Sequence, residues 1–416
     1  MNIKYLKNLT PERCFSLAGG AELAYIADVT PEAFRSYRKG LETLDILQEY
    51  ARNTVGESEF YTYRIRSGGI LHVSYTGADG SLRVAEDPMP PPLDGLLSQQ
   101  VLPRRRICDP MLAVLPLDYT HRDRTDGNGM GYAALLEDGT WLIWDGGYPC
   151  DAENLFAYLY ARSPLPGHRV VISAWILTHS HFDHYGCFRS FTRLYADRVQ
   201  VRYFLLNPPE KNDAIINPET VDPFLTVDFP ELLSRYPGAC AVRARAGQRL
   251  VLHGAELEIL QTFEDVLPRG MNWLNEASMV TRLHIAGQSV LFTADCEIQG
   301  DAALILLGDG LQSDILQVAH HAYSGGSSAL WDAVNPKLLL FSTNYETLTR
   351  RLLPTWQRGL YTSLYRREGI LDAIASDGAV KEIPFPLDDR RQIRYCSMPD
   401  PVETEEQRAA SQPKER

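Results

Sequence analysis

The sequence predicts an α/β fold that is preceded by a small α+β unit, and three observations lead to this prediction. Strand-like and helix-like segments alternate from about residue 107 to about residue 385. The apolar run Val170–Leu177 has the length of a buried strand and leads directly into a histidine-rich loop. Before residue 88, one amphipathic helix pattern is followed by three short strand patterns. The 416 residues allow two or three domains.

The N-terminal elements are predicted from capping and periodicity. Thr30 and Pro31 form a helix cap and first-turn pair, and apolar residues then recur at spacings of three and four: Phe34, Tyr37, Leu41 and Leu44. Alternating residues at 60–65, 70–75 and 81–84 are separated by glycine-containing turns, which is typical of a meander. Residues 1–100 are therefore expected to form a small α+β domain of unknown role.

The second unit, residues 107–395, follows a proline-rich linker at 88–92. A hairpin of segments 131–136 and 141–144 begins it, and the alternating Trp141 and Trp144 are expected in the core. Asp151 can cap the next helix, and a later helix has one predicted buried face made of Phe188, Phe191, Leu194 and Tyr195. Further strands are expected at 199–206, 247–252, 257–260, 289–294 and 314–319, and residues 400–416 read as a disordered tail.

Composition limits the classes of function. The net charge of −12 disfavours a broad nucleic-acid or anionic-membrane interface, although a metal pair supplies its own positive field and leaves a nucleotide substrate open. The sequence shows no signal peptide and no run long enough to cross a bilayer. Seven scattered cysteines without a CxxC pair indicate reduced thiols. We therefore expect a cytoplasmic protein without a membrane partner.

The loop after Val170–Leu177 predicts a metal site. Within six residues it carries His179, His181, Asp183 and His184. Imidazole and carboxylate together suit zinc, manganese or iron rather than calcium or magnesium. The first two histidines can serve one metal, and the last two residues can serve another.

Later strand ends offer further ligands. The segment 289–294 leads to Asp295, which can bridge two metals but can also cap a helix starting near Glu297. The segment 314–319 leads to His320 and His321, and one member of this pair can be a packing residue.

Taken in order, these motifs resemble the metallo-β-lactamase superfamily over about residues 107 to 385. They are Asp145-Gly-Gly, His179-Ser-His-Phe-Asp-His-Tyr-Gly186, Thr293-Ala-Asp295 and His320-His321. The closest similarity is to the branch of competence-protein nuclease-like domains and phosphorylcholine esterases, which carries segments like Gly247-Gln-Arg-Leu250, Asn275-Glu-Ala-Ser278 and paired histidines. The resemblance implies an αββα sandwich with one or two metals at one sheet edge.

Two departures from the superfamily pattern affect the prediction. The usual third histidine is replaced by Asn275, as in that branch, so the first metal loses an imidazole. Ala322-Tyr323-Ser324-Gly325-Gly326 stands where the branch has Gly-Ser-Lys, which removes a phosphate-binding cation and weakens a nuclease interpretation.

The resulting hypothesis is a metal-dependent hydrolase of a phosphodiester or a related small ester. A metal-bound hydroxide, with its pKa lowered from ~15.7 towards ~7, would be the nucleophile. The resemblance implies one or two divalent metals, with zinc first and manganese or iron as alternatives, on His179, His181, Asp183, His184, Asp295 and His321. It places His320 off the metal, where it would stabilise the developing charge or protonate the leaving group.

Asp183, His320 and Asn275 are the predicted catalytic residues, and Asp145 is expected to orient a ligand. The alternatives are a lactone or thioester hydrolase and a non-catalytic metal-binding interaction module; a redox di-iron protein is disfavoured because no flavin partner domain is evident. The expected partner is a small-molecule ester or phosphoester, and the oligomeric state is left open.

Overall fold

A computed structural model describes residues 4–88, 105–117, 128–210, 227–271, 273–352 and 363–402. The part of the predicted linker after Pro88 and the part of the predicted tail after Val402 lie outside these residues. No helix of the described segments is both long and apolar enough to cross a bilayer. The domain boundaries at 100, 107 and 395 stay a prediction.

The N-terminal residues form one six-stranded sheet, ordered β1-β2-β6-β5-β4-β3, and one helix. The helix is α1 (Pro31–Glu42), and Thr30 Oγ1 accepts a hydrogen bond from Ala33 N, so the predicted cap is present. Leu44 lies beyond the end of this helix. The strands are β1 (Arg13–Ser16), β2 (Glu22–Ile26), β3 (Leu47–Val55), β4 (Ser58–Ile65), β5 (Ile70–Thr76) and β6 (Ser81–Asp87).

The rest of the described chain is an αββα sandwich, as predicted. One eight-stranded sheet has the order β12-β11-β10-β9-β8-β7-β20-β21. Its strands are β7 (Met111–Val114), β8 (Gly131–Leu135), β9 (Trp141–Asp145), β10 (Val170–Leu177), β11 (Val199–Leu206), β12 (Cys240–Arg243), β20 (Val380–Pro384) and β21 (Arg394–Cys396).

A seven-stranded sheet, ordered β13-β14-β15-β16-β17-β18-β19, packs against the first one. Its strands are β13 (Arg249–Leu252), β14 (Ala255–Gln261), β15 (Val280–Ile285), β16 (Gln288–Phe292), β17 (Ile315–Val318), β18 (Leu338–Phe341) and β19 (Asp372–Ala375). Trp144 on β9 stacks on Phe292 of β16 at 4.1 Å between ring centroids, which joins the two sheets.

Helices cover both outer faces of the sandwich. The helices against the eight-stranded sheet are α2 (Ala152–Arg162), α3 (Phe182–Tyr195) and α4 (Phe229–Leu233). Those on the other side are α5 (Phe263–Val266), α6 (Ile298–Leu304), α7 (Ser328–Val334) and α8 (Tyr345–Leu352).

Three details of the sandwich bear on the sequence predictions. Trp141 and Trp144 are fully buried on opposite faces of β9, as expected of core residues. Leu194, which was predicted on the buried face of α3, is 40% exposed. Asp151 precedes α2, but its carboxylate accepts from Tyr148 N at 2.8 Å and does not cap the helix.

The N-terminal sheet packs on the seven-stranded side of the sandwich. Leu23 and Ala85 share an apolar cluster with Phe263 of α5 and with Leu274 and Ala277 of the 3₁₀ turn Leu274–Ala277. The predicted site residue Asn275 belongs to this turn. The sheet therefore supports a segment that reaches the candidate site.

A buried ion network reinforces this contact. Arg245 is 1% exposed, and its guanidinium donates to Asp87 Oδ2 of β6 at 3.0 Å and to Glu264 Oε2 of α5 at 3.1 Å. A second pair joins Arg83 Nε to Asp265 Oδ1 at 3.3 Å. Burying these charges is tolerable because each faces an opposite charge.

Candidate metal centre

The predicted metal-site residues meet at one edge of the two sheets. The histidine-rich loop leaves the end of β10, and His181 occupies the position before α3, so that Asp183 and His184 lie in the first turn of that helix. Gly186 allows α3 to lie close to the preceding loop, because a Cβ there would be 2.7 Å from Pro149 Cδ. The glycine of the motif therefore allows the helix and the loop to pack closely.

The other residues arrive from the ends of β16 and β17. Asp295 follows β16, and it does not cap a helix, since the N-cap position of α6 is Glu297. His320 and His321 follow β17 in a short turn. Parallel pairing of β16 with β17 brings these strand ends to the same edge.

A first group of possible ligands consists of Asp183, His184, Asp295 and His321, whose ligand atoms lie within 4.8 Å of one another. His184 Nε2 is 3.2 Å from Asp295 Oδ2 and 3.3 Å from His321 Nε2. His321 Nε2 is 3.2 Å from Asp183 Oδ2 and 3.3 Å from Asp295 Oδ2. His184 Nε2 and Asp183 Oδ2 are 3.8 Å apart.

These spacings can be compared with those of a tetrahedral metal site. Metal bonds of about 2.0–2.1 Å place the ligand atoms of a regular tetrahedron about 3.3 Å apart. Four of the five distances given for the first group are 3.2 or 3.3 Å, and the fifth is 3.8 Å. The donor atoms present therefore fit a divalent metal such as zinc.

A second group consists of His179, His181 and Asp295. His179 Nε2 is 3.1 Å from His181 Nδ1 and 3.8 Å from Asp295 Oδ2. Asp295 is thus common to both groups, and its Oδ1 is buried without a hydrogen-bond partner among the described residues. A bound cation would supply the partner that this carboxylate oxygen lacks.

The electrostatics of the two groups differ. Burial and the neighbouring His184 and His181 lower the pKa of His179 well below its usual value, and burial lowers the pKa of His181. Burial also opposes the charged form of His184, but the nearby carboxylates, Asp295 first, raise its pKa well above the usual value. At His321, burial also disfavours the charged form, but Asp295 and Asp183 raise the pKa to about 9.

Both carboxylates are held as anions. Burial alone would raise the pKa of Asp183 and of Asp295, but the histidines around them, His184 first, lower both pKa values below the usual range. Two anionic side chains surrounded by imidazoles are a suitable donor set for a divalent cation.

Asp145, which is expected from the sequence to orient a ligand, contacts His184. Its Oδ2 is 2.7 Å from His184 Nδ1, and Thr178 donates to both oxygens, from N and from Oγ1, at 2.8 Å each. Asp145 has a φ of 53°, and Trp175 Nε1 donates to its carbonyl at 2.8 Å. The buried carboxylate therefore fixes the ring so that Nε2 faces Asp295.

We expect Asp145→Asn to lower metal affinity about 10–100-fold, since the ring of His184 would lose its charged acceptor. Competition with a chromophoric chelator measures this affinity. Asp138→Asn is the matched control, because Asp138 is equally buried but lies at the opposite end of the β8–β9 hairpin, where it accepts from Thr140. Equal losses in the two variants would mean that the effect is general destabilisation.

The sequence did not single out several residues that arrange the site. Gln317 is fully buried; its Oε1 accepts from Ala294 N at 2.6 Å and its Nε2 donates to Val318 O at 2.7 Å, which ties together the chain segments before Asp295 and His320. Ser278 Oγ accepts from Asp295 N at 3.2 Å. The carbonyl of Ser342 is 2.7 Å from His321 Nδ1.

The two remaining predicted residues, Asn275 and His320, contact one another beside the metal-binding groups. Asn275 Nδ2 is 3.1 Å from His320 Nε2 and 3.2 Å from Glu297 Oε1. The imidazole of His320 is 20% exposed and the carboxylate of Asp183 is 15% exposed, whereas those of His184 and Asp295 are 0% and 2% exposed. The cluster is therefore open on the side of His320 and Asp183.

Comparison with known proteins gives a family match. The model of the metallo-beta-lactamase superfamily matches residues 126–339, slightly more than half of the chain. No curated protein matches the chain significantly.

Several solved structures resemble the chain at low identity. The diiron β-hydroxylase CmlA from Streptomyces venezuelae is 14% identical with a TM-score of 0.38, and the match covers 67% of this chain but only 54% of CmlA. Zinc-bound PqqB from Methylobacterium extorquens is 10% identical with a TM-score of 0.41, covering 65% of this chain and 99% of PqqB. A Parabacteroides distasonis protein described as a metal-dependent hydrolase is 11% identical with a TM-score of 0.35, covering 76% and 97%.

Proposed function

Because this chain belongs to the metallo-beta-lactamase superfamily, we propose that it is a metal-dependent hydrolase of a phosphodiester or a related small ester. The observation that carries the proposal is the convergence of His184 and His321 on Asp295, with Asp183 beside His321, at the spacing of metal ligands. The proposal also places this protein in the branch of competence-protein nuclease-like domains and phosphorylcholine esterases, and it includes a cytoplasmic location.

The proposed ligands fall into two sets that share Asp295. His179 and His181 would hold one metal, and Asp183, His184 and His321 would hold the other. Zinc is the first candidate, and manganese or iron would accept the same donors. A metal bound there would lower the pKa of water enough to supply a nucleophile at neutral pH and would polarise the substrate oxygen.

The protein groups contribute orientation and access. Asp145 and the carbonyl of Ser342 hold the rings of His184 and His321 through their Nδ1 atoms, which leaves both Nε2 atoms for the metal. The substrate would approach from the side of His320 and Asp183, where the cluster is open. Asn275 would hydrogen-bond a substrate oxygen through its amide, which contacts His320 and Glu297.

A second candidate, a lactone or thioester hydrolase, is favoured by one observation. Over the described residues, the ion pairs of Asp183 and Asp295 are made with histidines, and none is made with lysine or arginine. A site whose carboxylates have no lysine or arginine beside them is better suited to a neutral ester than to a phosphate. The non-catalytic interaction module is the outcome if no ester is hydrolysed.

The test is a panel of chromogenic phosphodiesters, lactones and thioesters assayed with purified protein, before and after chelation and metal readdition. We expect chelator-sensitive hydrolysis of at least one class, lost in Asp183→Ala and His184→Ala while circular dichroism stays unchanged. Asp197→Ala is the control, because Asp197 is exposed and lies just beyond the C-terminal end of α3. Activity that survives in both site variants would contradict the proposal.

A further inference from the structure

Four histidines of the site direct their Nε2 atoms at the same carboxylate oxygen. The Nε2 atoms of His184, His321, His179 and His320 lie 3.2, 3.3, 3.8 and 3.8 Å from Asp295 Oδ2. Three of these histidines are already proposed ligands. His320 is the fourth, and its distance from Asp295 equals that of His179.

The other ring nitrogen of His320 contacts a carboxylate. Its Nδ1 is 2.9 Å from Glu297 Oε1 and 2.7 Å from Ser324 Oγ. Ser324 Oγ also donates to Glu297 Oε1 at 3.1 Å. A histidine that binds a metal through one nitrogen typically donates its other N–H to a carboxylate or a carbonyl, as His184 does to Asp145.

The hydrogen-bond network also decides which nitrogen of His320 carries the proton. Asn275 Nδ2 donates to Glu297 Oε1, so the amide nitrogen, not the oxygen, faces His320 Nε2. Two donors cannot face each other, so Nε2 accepts and Nδ1 carries the proton. With the proton on Nδ1, the Nε2 lone pair is available to bind a metal.

The backbone conformation at His320 is energetically unfavourable, which supports a functional requirement for it. His320, His321 and Ala322 have φ values of 45°, 51° and 63°, and none of them is glycine. The left-handed region is unfavourable for residues with a side chain, and such strain persists only where the surroundings enforce it. The left-handed turn is held by the hydrogen bond from His320 N to Ala294 O at 2.9 Å, and it directs two consecutive imidazoles at the same carboxylate.

The second metal group has one position without a protein donor. His179, His181 and Asp295 supply three donors, which leaves the fourth position of a tetrahedral zinc site open to water or to a further ligand, and Asn275 stands where the resemblance places a third histidine. We propose that His320 Nε2 is the missing imidazole of this metal, that it exchanges its contact with Asn275 for the metal, and that Glu297 orients it. This inference rests on the metal site of the proposed function but not on the reaction catalysed there.

The test uses metal-free protein titrated with zinc in competition with a chromophoric chelator, and with cobalt followed by absorption. The parent protein should bind two equivalents. His320→Ala should lose one equivalent, with its affinity reduced more than about 100-fold, and Glu297→Gln should weaken that same site about 10–100-fold. Glu297→Gln also serves as the second variant if His320→Ala proves unstable in thermal unfolding.

Two controls separate ligand loss from histidine loss and from local disturbance. His284→Ala removes a half-exposed histidine of β15, which pairs with Glu258 away from the site, and should keep both equivalents. Asn275→Ala removes the amide that contacts His320 and should also keep both. The cobalt spectrum should change in His320→Ala and stay parental in the two controls.

Two equivalents at parental affinity in both His320→Ala and Glu297→Gln would overturn this inference alone and leave the proposed function standing. Loss of the site in Asn275→Ala, with or without loss in His320→Ala, would also overturn it, because the buried Asn275 Oδ1, which has no described partner, would then be the ligand. A parent protein that binds no metal would overturn both this inference and the proposed function.

Discussion

Asp295→Asn is expected to remove both metals and to lower hydrolysis about 10³-fold or more. Asp295 is common to both groups of ligands, and four imidazole nitrogens lie within 3.8 Å of its Oδ2. The several kcal/mol that a bound metal contributes to transition-state stabilisation correspond to about three powers of ten in rate. Elemental mass spectrometry and the rate of the best substrate are measured on the same preparation.

The control for this variant is Asp309→Asn, an exposed carboxylate outside the site. It should keep the metal content and the rate of the parent protein. If Asp295→Asn retained two equivalents of metal, the carboxylate would not be a shared ligand, and the division of the site into two groups around it would be wrong.

Arg245→Met is expected to lower the free energy of unfolding by about 3–5 kcal/mol at neutral pH. The substitution preserves much of the side-chain volume but leaves Asp87 and Glu264 buried without the guanidinium that contacts both. An uncompensated buried charge costs more than the original ion pair contributed, since its desolvation is no longer offset. Urea denaturation followed by circular dichroism measures the change.

The same variant should also disturb the metal site. The ion network joins the N-terminal sheet to α5, and the apolar cluster beside it includes Leu274 and Ala277 on either side of Asn275. Arg391→Met removes a surface ion pair with Asp389, in which the arginine side chain is 86% exposed, and should leave the free energy of unfolding nearly unchanged. A loss below about 1 kcal/mol in Arg245→Met, as for a surface pair, would show that the network contributes little to the contact.

The metal-site residues could be predicted from the sequence because most of them lie close together in it. Four potential ligands follow one apolar strand within six residues, and Asp295 and the histidine pair each follow another strand. Strand ends that meet at one edge bring such residues together without knowledge of the packing. The αββα fold followed from the resemblance carried by the same motifs, and their individual roles stay predictions.

The supporting residues could not be predicted, since their partners are distant in sequence. Gln317 contacts Ala294, and Glu297 contacts His320 and Asn275, through single polar side chains that form no pattern. The strands β1 to β3 were also missed: β3 contains exposed Glu49 and Arg52, so it does not show the apolar alternation of a core strand. The contact of the N-terminal sheet with α5 depends on Arg245, which is unremarkable in the sequence.

The central claim is that two metals lie between these histidines and carboxylates. Anomalous X-ray diffraction from crystals of zinc-loaded protein tests it most directly. We expect two anomalous peaks about 3.5–4 Å apart, as in other two-metal sites, one beside His179 and His181 and the other among Asp183, His184 and His321. A single peak in this cluster, or none, would contradict the account.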